Sequence, residues 1–325
     1  MREITFREAI REAMSEEMRT DENIYLMGEE VAEYNGAYKV SQGMLDEFGA
    51  KRVIDSPISE LGFTGIAVGA AMNGLRPIIE YMTWNFAVLA ADQIINHAAK
   101  MLQMSGGQFN CPIVFRGGNG TAGQLAATHS QSYEQMYAHI PGLKVITPST
   151  PYDAKGLLKA AIRDNDPVLF MESEKMYGDK QQVPEEEYLL EIGKAHIVKE
   201  GTDCTVVSFG KTMKVALAAA EEMAKEGHSI EVIDLRTIRP LDYPTIVESV
   251  KKTKRLCVIE ESFPFGSIST EITYNIQKYA FDYLDAPVRR VTQSDTPFPF
   301  SPSLIEEATP NVAAAIRGIK EVMYL

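Results

Sequence analysis

The sequence predicts an α/β protein of two domains, each a mostly parallel sheet flanked by helices. Three observations carry this. Short apolar runs of strand length alternate with amphipathic stretches of helix length through most of the chain. Strands buried on both faces and separated by helices are the pattern of a parallel sheet. The chain has 325 residues, more than one core usually organises. The stretch 174–192, EKMYGDKQQVPEEEYLLEI, is polar, acidic and without period. It reads as a linker and divides the chain into domains 1–186 and 187–325.

The elements follow in order. At the N-terminus Ile4, Ala9, Ile10, Ala13 and Met14 recur at helical spacing. In SPISELGFTG, Ser56 can cap a helix with Pro57 in its first position, and that helix stops at Asn73-Gly74. Strand candidates are RPIIEYM, CPIVFRG, LKVITP and PVLFMES in the first domain, then CTVVSFG, SIEVIDL, RLCVIEE and PVRRVT in the second. Helices are expected over LAADQIINHAAKMLQM, PYDAKGLLKAAIRD and TMKVALAAAEEMAKEG.

Composition excludes several classes. With 32 basic against 45 acidic residues and a net charge of −13, no basic footprint exists for nucleic acid or an anionic membrane. No apolar run reaches the roughly 18 to 20 residues that span a bilayer, and the charged N-terminus lacks a signal-peptide core. Cys111, Cys204 and Cys257 are odd in number and widely spaced, which points to a reducing cytoplasm without disulfides. No His-Glu-x-x-His or Cys-x-x-Cys pattern marks a zinc site.

Candidate chemistry is sparse and specific. Gly118-x-Gly120-x-x-Gly123 follows a strand and imitates the dinucleotide fingerprint. The next strand, however, ends without the acid that would bind a ribose, so an NAD-binding oxidoreductase is the disfavoured alternative. The loop delivers His129 to a strand end instead, either as a structural residue or as an acid–base group. Glu60 is a lone carboxylate before the apolar, glycine-rich IAVGAAMNGL. A helix dipole favours an acid in the first turn by about 0.3 to 1 kcal/mol, which accounts for Glu60 without any function. Gly62, Gly65 and Gly69 each weaken a helix by about 1 kcal/mol relative to alanine, which points to close packing, with another subunit as the expected neighbour. Tyr81, Trp84 and Phe86 lie at the end of a strand, where a ring packs the core or stacks on a flat heterocycle. Asp164 and Asp166 bracket a turn; such acids cap turns or hold a hard cation through oxygen ligands.

Taken together, GEEVAEYNGAYKVSQG, DSPISELGFTGIAVGAAMNGLRPIIEYM, FRGGNG, THSQSYEQMYAHIPGLKVITPST, AAIRDNDPVLFMESE and IDLRTIRPLD resemble the β-subunits of the pyruvate-type 2-oxoacid dehydrogenases, a branch of the transketolase-like thiamine diphosphate enzymes. The resemblance runs from residue 4 to about 320. It implies a pyrimidine-binding domain followed by a transketolase C-terminal-like domain, and a subunit that decarboxylates pyruvate and acetylates a lipoyl group. Branched-chain 2-oxoacids or acetoin are the alternative substrates. Glu60 matches the glutamate that hydrogen-bonds the aminopyrimidine. Ile58 and Phe86 match its apolar and aromatic contacts, and His129 matches the histidine near substrate and lipoyl group. Leu89 stands near the aminopyrimidine where the pyruvate enzymes commonly carry glutamine, and it removes a polar contact. Ile113, Ala161, Asp164 and Asp166 match a potassium site, the first two through carbonyls. The family's Gly-Asp-Gly magnesium motif has no counterpart: the one Gly-Asp pair, Gly178-Asp179, is followed by Lys180. Magnesium and the cofactor's diphosphate are therefore expected on an α-subunit. The expected assembly is α2β2, with β–β self-association and the lipoyl acyltransferase both engaging the C-terminal domain.

Overall fold

A capping box starts the first long helix. The Glu8 amide donates to Thr5 Oγ1 at 3.3 Å, and the Thr5 amide donates to Glu8 Oε2 at 2.7 Å. Helix α1 (Phe6–Thr20) thus follows directly on β1 (Arg2–Thr5), with Ala9, Ile10, Ala13 and Met14 buried as their spacing predicts. The computed structural model describes residues 1–325. They fall into two compact units, Met1–Thr121 with Met136–Ile192, and Ala122–Gln135 with Gly193–Leu325.

In the first unit the chain continues through β2 (Ile24–Gly28), α2 (Met44–Phe48), β3 (Val53–Asp55), α3 (Glu60–Met72), β4 (Arg76–Thr83) and α4 (Trp84–Ala87). Next come α5 (Met101–Met104), β5 (Val114–Gly118), α6 (Glu134–Ala138), β6 (Lys144–Ile146), α7 (Pro151–Arg163), β7 (Val168–Glu172) and β8 (Lys180–Val183). The main sheet runs β6-β7-β5-β4-β2-β3, and every pairing within that run is parallel. A separate antiparallel pair joins β1 to β8. The core lies between this sheet and α1 and α7.

The second unit contains β9 (His196–Lys199), β10 (Cys204–Ser208), α8 (Met213–Lys225), β11 (Ile230–Asp234) and β12 (Thr237–Arg239). It continues with α9 (Tyr243–Thr253), β13 (Leu256–Ile259), α10 (Ile268–Ala280), β14 (Arg289–Val291), α11 (Pro302–Ala308) and α12 (Val312–Met323). Its sheet runs β14-β13-β10-β11-β9, parallel except for the antiparallel edge strand β9. The two-domain α/β reading with mostly parallel sheets holds, and each of the eight apolar runs contains a strand.

Three details differ from expectation. Ser56 does not cap α3. Its amide donates to the Gly28 carbonyl at 2.8 Å, which extends the sheet beyond β3, so the helix opens only at Glu60 behind Ser59. The stretch 89–104 is not one helix. Thr83 Oγ1 accepts from the Asn85 amide at 3.0 Å and starts a helix five residues early. The run then passes through a 3₁₀ turn at Val88–Ala90 and a π-helical stretch at Gln93–Ala98 before α5. Polar side chains bond one another there, with Asn96 donating to Asp92 at 2.7 Å. Finally, the first unit extends to Ile192 because Tyr188 and Leu190 lie against Gly156 of α7, and Tyr188 donates to the Tyr152 carbonyl at 2.8 Å.

Candidate cofactor site

The C-terminal ends of parallel strands are where open α/β sheets present their chemistry. Glu29 follows β2, the segment from Ser56 to Glu60 follows β3, and Phe86 follows β4. Glu60 is only 4% exposed. It is the first residue of α3, and Ser59 makes no side-chain cap, so its carboxylate meets the positive end of the helix.

The chain pairs this carboxylate with a second one. Glu29 is buried and lies close enough to Glu60 to feel its charge. Burial first, and then the charge of Glu60, push the Glu29 carboxyl up to about 7. A carboxyl so placed gives up its proton less readily than an ordinary one. Glu29 Oε1 has no hydrogen-bond partner although it is buried. A polar heterocycle seated here would meet an unused acceptor, so these residues fit the aminopyrimidine of thiamine diphosphate. Asp55 holds the loop after Glu29 by accepting the Ala32 and Glu33 amides at 2.7 and 3.0 Å. Ser41 donates to the Val31 carbonyl at 2.6 Å.

Of the three aromatic candidates, Tyr81 and Trp84 are fully buried, their ring centroids 5.6 Å apart. Tyr81 shares a 2.7 Å hydrogen bond with Thr64 of α3. Phe86 is half-buried on α4. Ile58 and Leu89 are 85% and 65% exposed, and Leu61, Ile66 and Val88 join them at the surface. They lie on α3 and on the turns that pack against it. Within this surface a Cβ on Gly69 would have nothing within 4 Å, and one on Gly62 only Ser59 at 3.6 Å. Gly62 and Gly69 therefore serve no close approach inside the chain, whereas a Cβ on Gly65 would stand 3.3 Å from Gln93 Oε1. The first two leave a smooth apolar face.

His129 belongs to the segment Ala122–Gln135 that groups with the second unit. It ends the 3₁₀ turn Ala127–His129, with Nδ1 at 2.8 Å from Thr128 Oγ1. No helix follows Gly118-x-Gly120-x-x-Gly123 before that turn, which removes the basis for a dinucleotide fingerprint.

The four residues proposed for potassium surround the loop after α7. Ile113 O accepts the Val168 amide at 2.9 Å and Ala161 O accepts the Asp164 amide at 3.2 Å. The carboxylates are already matched. Lys144 Nζ lies 2.7 Å from Asp164 Oδ2 and 3.0 Å from Asp166 Oδ2, while Arg76 Nη2 donates to the Ile162 and Asp164 carbonyls at 2.7 Å. No group of three or more His, Cys, Asp or Glu side chains is arranged to hold a metal.

Sequence reasoning missed Glu29. Its signal was an acid at the end of a strand, but IYLMG escaped notice as a strand because it is short and follows a polar turn.

Two family models match the chain: transketolase, pyrimidine binding domain, over residues 2–180, and transketolase, C-terminal domain, over residues 193–314. A solved split-gene transketolase, described as an inactive β4 tetramer, has the same fold with a TM-score of 0.80. It is 20% identical and each chain is covered to 99%. The chain is thus a transketolase-like protein of the thiamine diphosphate class. Closer relatives narrow the class. The pyruvate dehydrogenase E1 component subunit β of Rhizobium meliloti is 57% identical over 325 residues, 100% of this chain and 71% of that protein. The subunit of the same name in Rickettsia felis is 53% identical over 99% of both. The mitochondrial one of Saccharomyces cerevisiae is 48% identical over 99% of this chain and 89% of its own length. The chain belongs to the family of pyruvate dehydrogenase E1 component β-subunits.

Proposed function

We propose that this chain is the pyrimidine-binding half of a thiamine diphosphate-dependent pyruvate dehydrogenase, which decarboxylates pyruvate oxidatively and acetylates the lipoyl group of an acyltransferase. The observation that supports this best is the buried Glu29–Glu60 pair with its unused oxygen at the strand ends. When bound, thiamine diphosphate supplies a thiazolium carbon that attacks the 2-oxoacid and an aminopyrimidine that takes up the proton released on activation. Glu60 carries the hydrogen bond to the pyrimidine ring nitrogen. Its burial leaves that bond poorly screened, which makes it an effective general acid–base contact. Glu29, its carboxyl pushed up to about 7, lies within reach of Glu60. Phe86 packs on the ring and Ile58 adds an apolar contact, while Leu89 presents only hydrocarbon beside it. His129 serves as the proton relay toward substrate and lipoyl group; His129→Ala is expected to slow lipoyl acetylation while cofactor affinity stays near normal.

The exposed apolar face around Ile58, Leu61, Ile66 and Leu89 is the surface for the α-subunit, which also brings magnesium and the diphosphate site. β–β pairing and acyltransferase docking are assigned to the C-terminal domain on the family resemblance, in an α2β2 assembly. Potassium, if bound, is held by the Ile113 and Ala161 carbonyls, since Lys144 already pairs with Asp164 and Asp166. Three free, buried cysteines suit a reducing compartment, and a cytoplasmic location is proposed. No helix is long and apolar enough to cross a membrane.

Calorimetric titration with cofactor and magnesium tests the half-site reading. This chain alone is expected to bind weakly or not at all, and the α-subunit is expected to restore binding. Micromolar binding and decarboxylation by this chain alone would overturn it. Steady-state rates of the assembled enzyme with pyruvate, branched-chain 2-oxoacids and acetoin then fix the substrate.

A further inference from the structure

Glu29 opens a loop, and two points of that loop rest on one buried charge cluster. Arg116 of β5 is 1% exposed. Its Nε and Nη2 each donate to Glu172 at 2.6 Å, and its Nη1 donates to Glu80. This is a fork-shaped, bidentate contact with a third bond to a second carboxylate. Glu80, Arg116 and Glu172 come from three neighbouring strands, β4, β5 and β7.

The first point of support is the start of the loop. Gly28 faces Glu80 in the β2–β4 register. The approach is so close that a Cβ on Gly28 would stand 2.4 Å from the Glu80 carbonyl oxygen. The second is the middle of the loop. Tyr177 donates to Glu172 at 2.8 Å, and its ring centroid lies 5.3 Å from that of Tyr38. Tyr38 donates in turn to Glu174 at 2.6 Å. The strand that carries Glu80 therefore backs the chain immediately before Glu29, and the Tyr177 ring, tied to Glu172, packs on the loop nine residues later.

A buried ion cluster is weak evidence for stability, because apolar replacements are often neutral or better. Fixing one geometry is a stronger reason to keep it. We propose that the Glu80–Arg116–Glu172 triad, acting through Tyr177 and the Tyr38 ring packed on it, is a positioning device that holds Glu29 against Glu60. The proposal rests on the reading of Glu29 and Glu60 as the acids of the cofactor site only for its catalytic consequence. None of the triad residues touches the reacting atoms. The charged groups around Glu29 are Glu60 at the start of α3, Glu80 on β4 and Asp55 on β3, both opposite Gly28, and Glu30 next in the chain.

The test reads Glu29 through the pH dependence of stability and needs neither cofactor nor α-subunit. Burial and the charge of Glu60 push the Glu29 carboxyl up to about 7, above the ordinary carboxylate range. Its raised value means that its contribution is full below the unfolded pKa and is lost as pH rises through about 7. Urea unfolding of the full chain from pH 5 to 8 should show this fall, and Glu29→Gln should abolish it, which calibrates the signal. Tyr177→Phe keeps the ring and deletes the bond to Glu172. It is expected to move the fall to lower pH by about 0.5 to 1 unit as Glu29 loosens toward water. Arg116→Lys, if it folds, should do the same. In the assembled enzyme Tyr177→Phe should lower kcat several-fold with KM for pyruvate unchanged. A Tyr177→Phe chain that is less stable equally at every pH, with the fall unmoved, would overturn the proposal. So would a Glu29→Gln chain that keeps the parent's fall. Failure of the cofactor reading would show separately, as full activity of Glu60→Gln in the assembled enzyme.

Discussion

The first unit holds two small carboxylate clusters, and they are built oppositely. Asp164 and Asp166 share the Lys144 ammonium, and a guanidinium from Arg76 takes the nearby carbonyls. Glu29 and Glu60 have each other, a Glu29 carboxyl pushed up to about 7 and an unpartnered buried oxygen. The first arrangement is electrostatically complete. The second is incomplete in a way that burial makes unfavourable, since an unsatisfied polar group out of water costs about 1 to 3 kcal/mol. Two clusters that look alike in sequence, acids near turns or helix starts, are told apart by what neutralises them. A cluster that waits for a partner is the better site.

The largest expected effect comes from breaking the incomplete cluster. Glu60→Gln should lower kcat of the assembled enzyme by roughly a hundred-fold or more and should slow hydrogen–deuterium exchange at the thiazolium carbon in parallel. The same change sharpens the comparison without any cofactor. A neutral glutamine removes the charge that helps raise Glu29. The fall in stability with pH should therefore shift below the parent's, toward the ordinary carboxylate range. Unchanged exchange at the thiazolium carbon would remove Glu60 from its assigned role.

Second in size is the complete cluster. Lys144→Met leaves Asp164 and Asp166 facing each other without a cation. The site is partly exposed, so the loss is expected to be modest, about 1 to 2 kcal/mol in urea unfolding near neutral pH. Adding Asp164→Asn should recover part of that loss. A double variant no more stable than Lys144→Met would mean that Lys144 is not the partner of Asp164.

What the sequence made legible follows from how each feature is encoded. Glu60 stood out because a charge beside glycines and apolar residues is a local contrast, and the helix it begins obeys local rules. The apolar runs of β4 and β7 were visible for the same reason. Glu29 was not, since its meaning depends on Glu60, thirty-one positions away in chain order. Ser56 misled because its role in the sheet is a bond to Gly28, invisible to a capping pattern. The break in 89–104 depends on Thr83 capping and on side-chain bonds within the turn, whereas its composition is that of a good helix. Arg116 was hidden entirely, because its partners lie on two other strands.

The smallest expected effect concerns potassium, and it tests whether the complete cluster has room for a further cation. Lys144 already satisfies the two carboxylates, so an added ion gains only carbonyl oxygens, such as those of Ile113 and Ala161, each of which already accepts one amide. A carbonyl has a second lone pair, so binding is allowed but weak. Stabilisation then follows the excess of ion over its dissociation constant, and a site only a few-fold saturated yields about 1 kcal/mol or less. Thermal midpoints in potassium chloride should exceed those in sodium chloride by about one or two degrees. Asp164→Ala should erase this gap, because that residue shapes the loop that presents the carbonyls. Lys144→Met should widen it, because the acids then take the ion themselves. Equal midpoints of the parent in the two salts would rule out a potassium-specific stabilising site. A gap that Lys144→Met leaves unchanged would show that the ion and the lysine do not share these carboxylates.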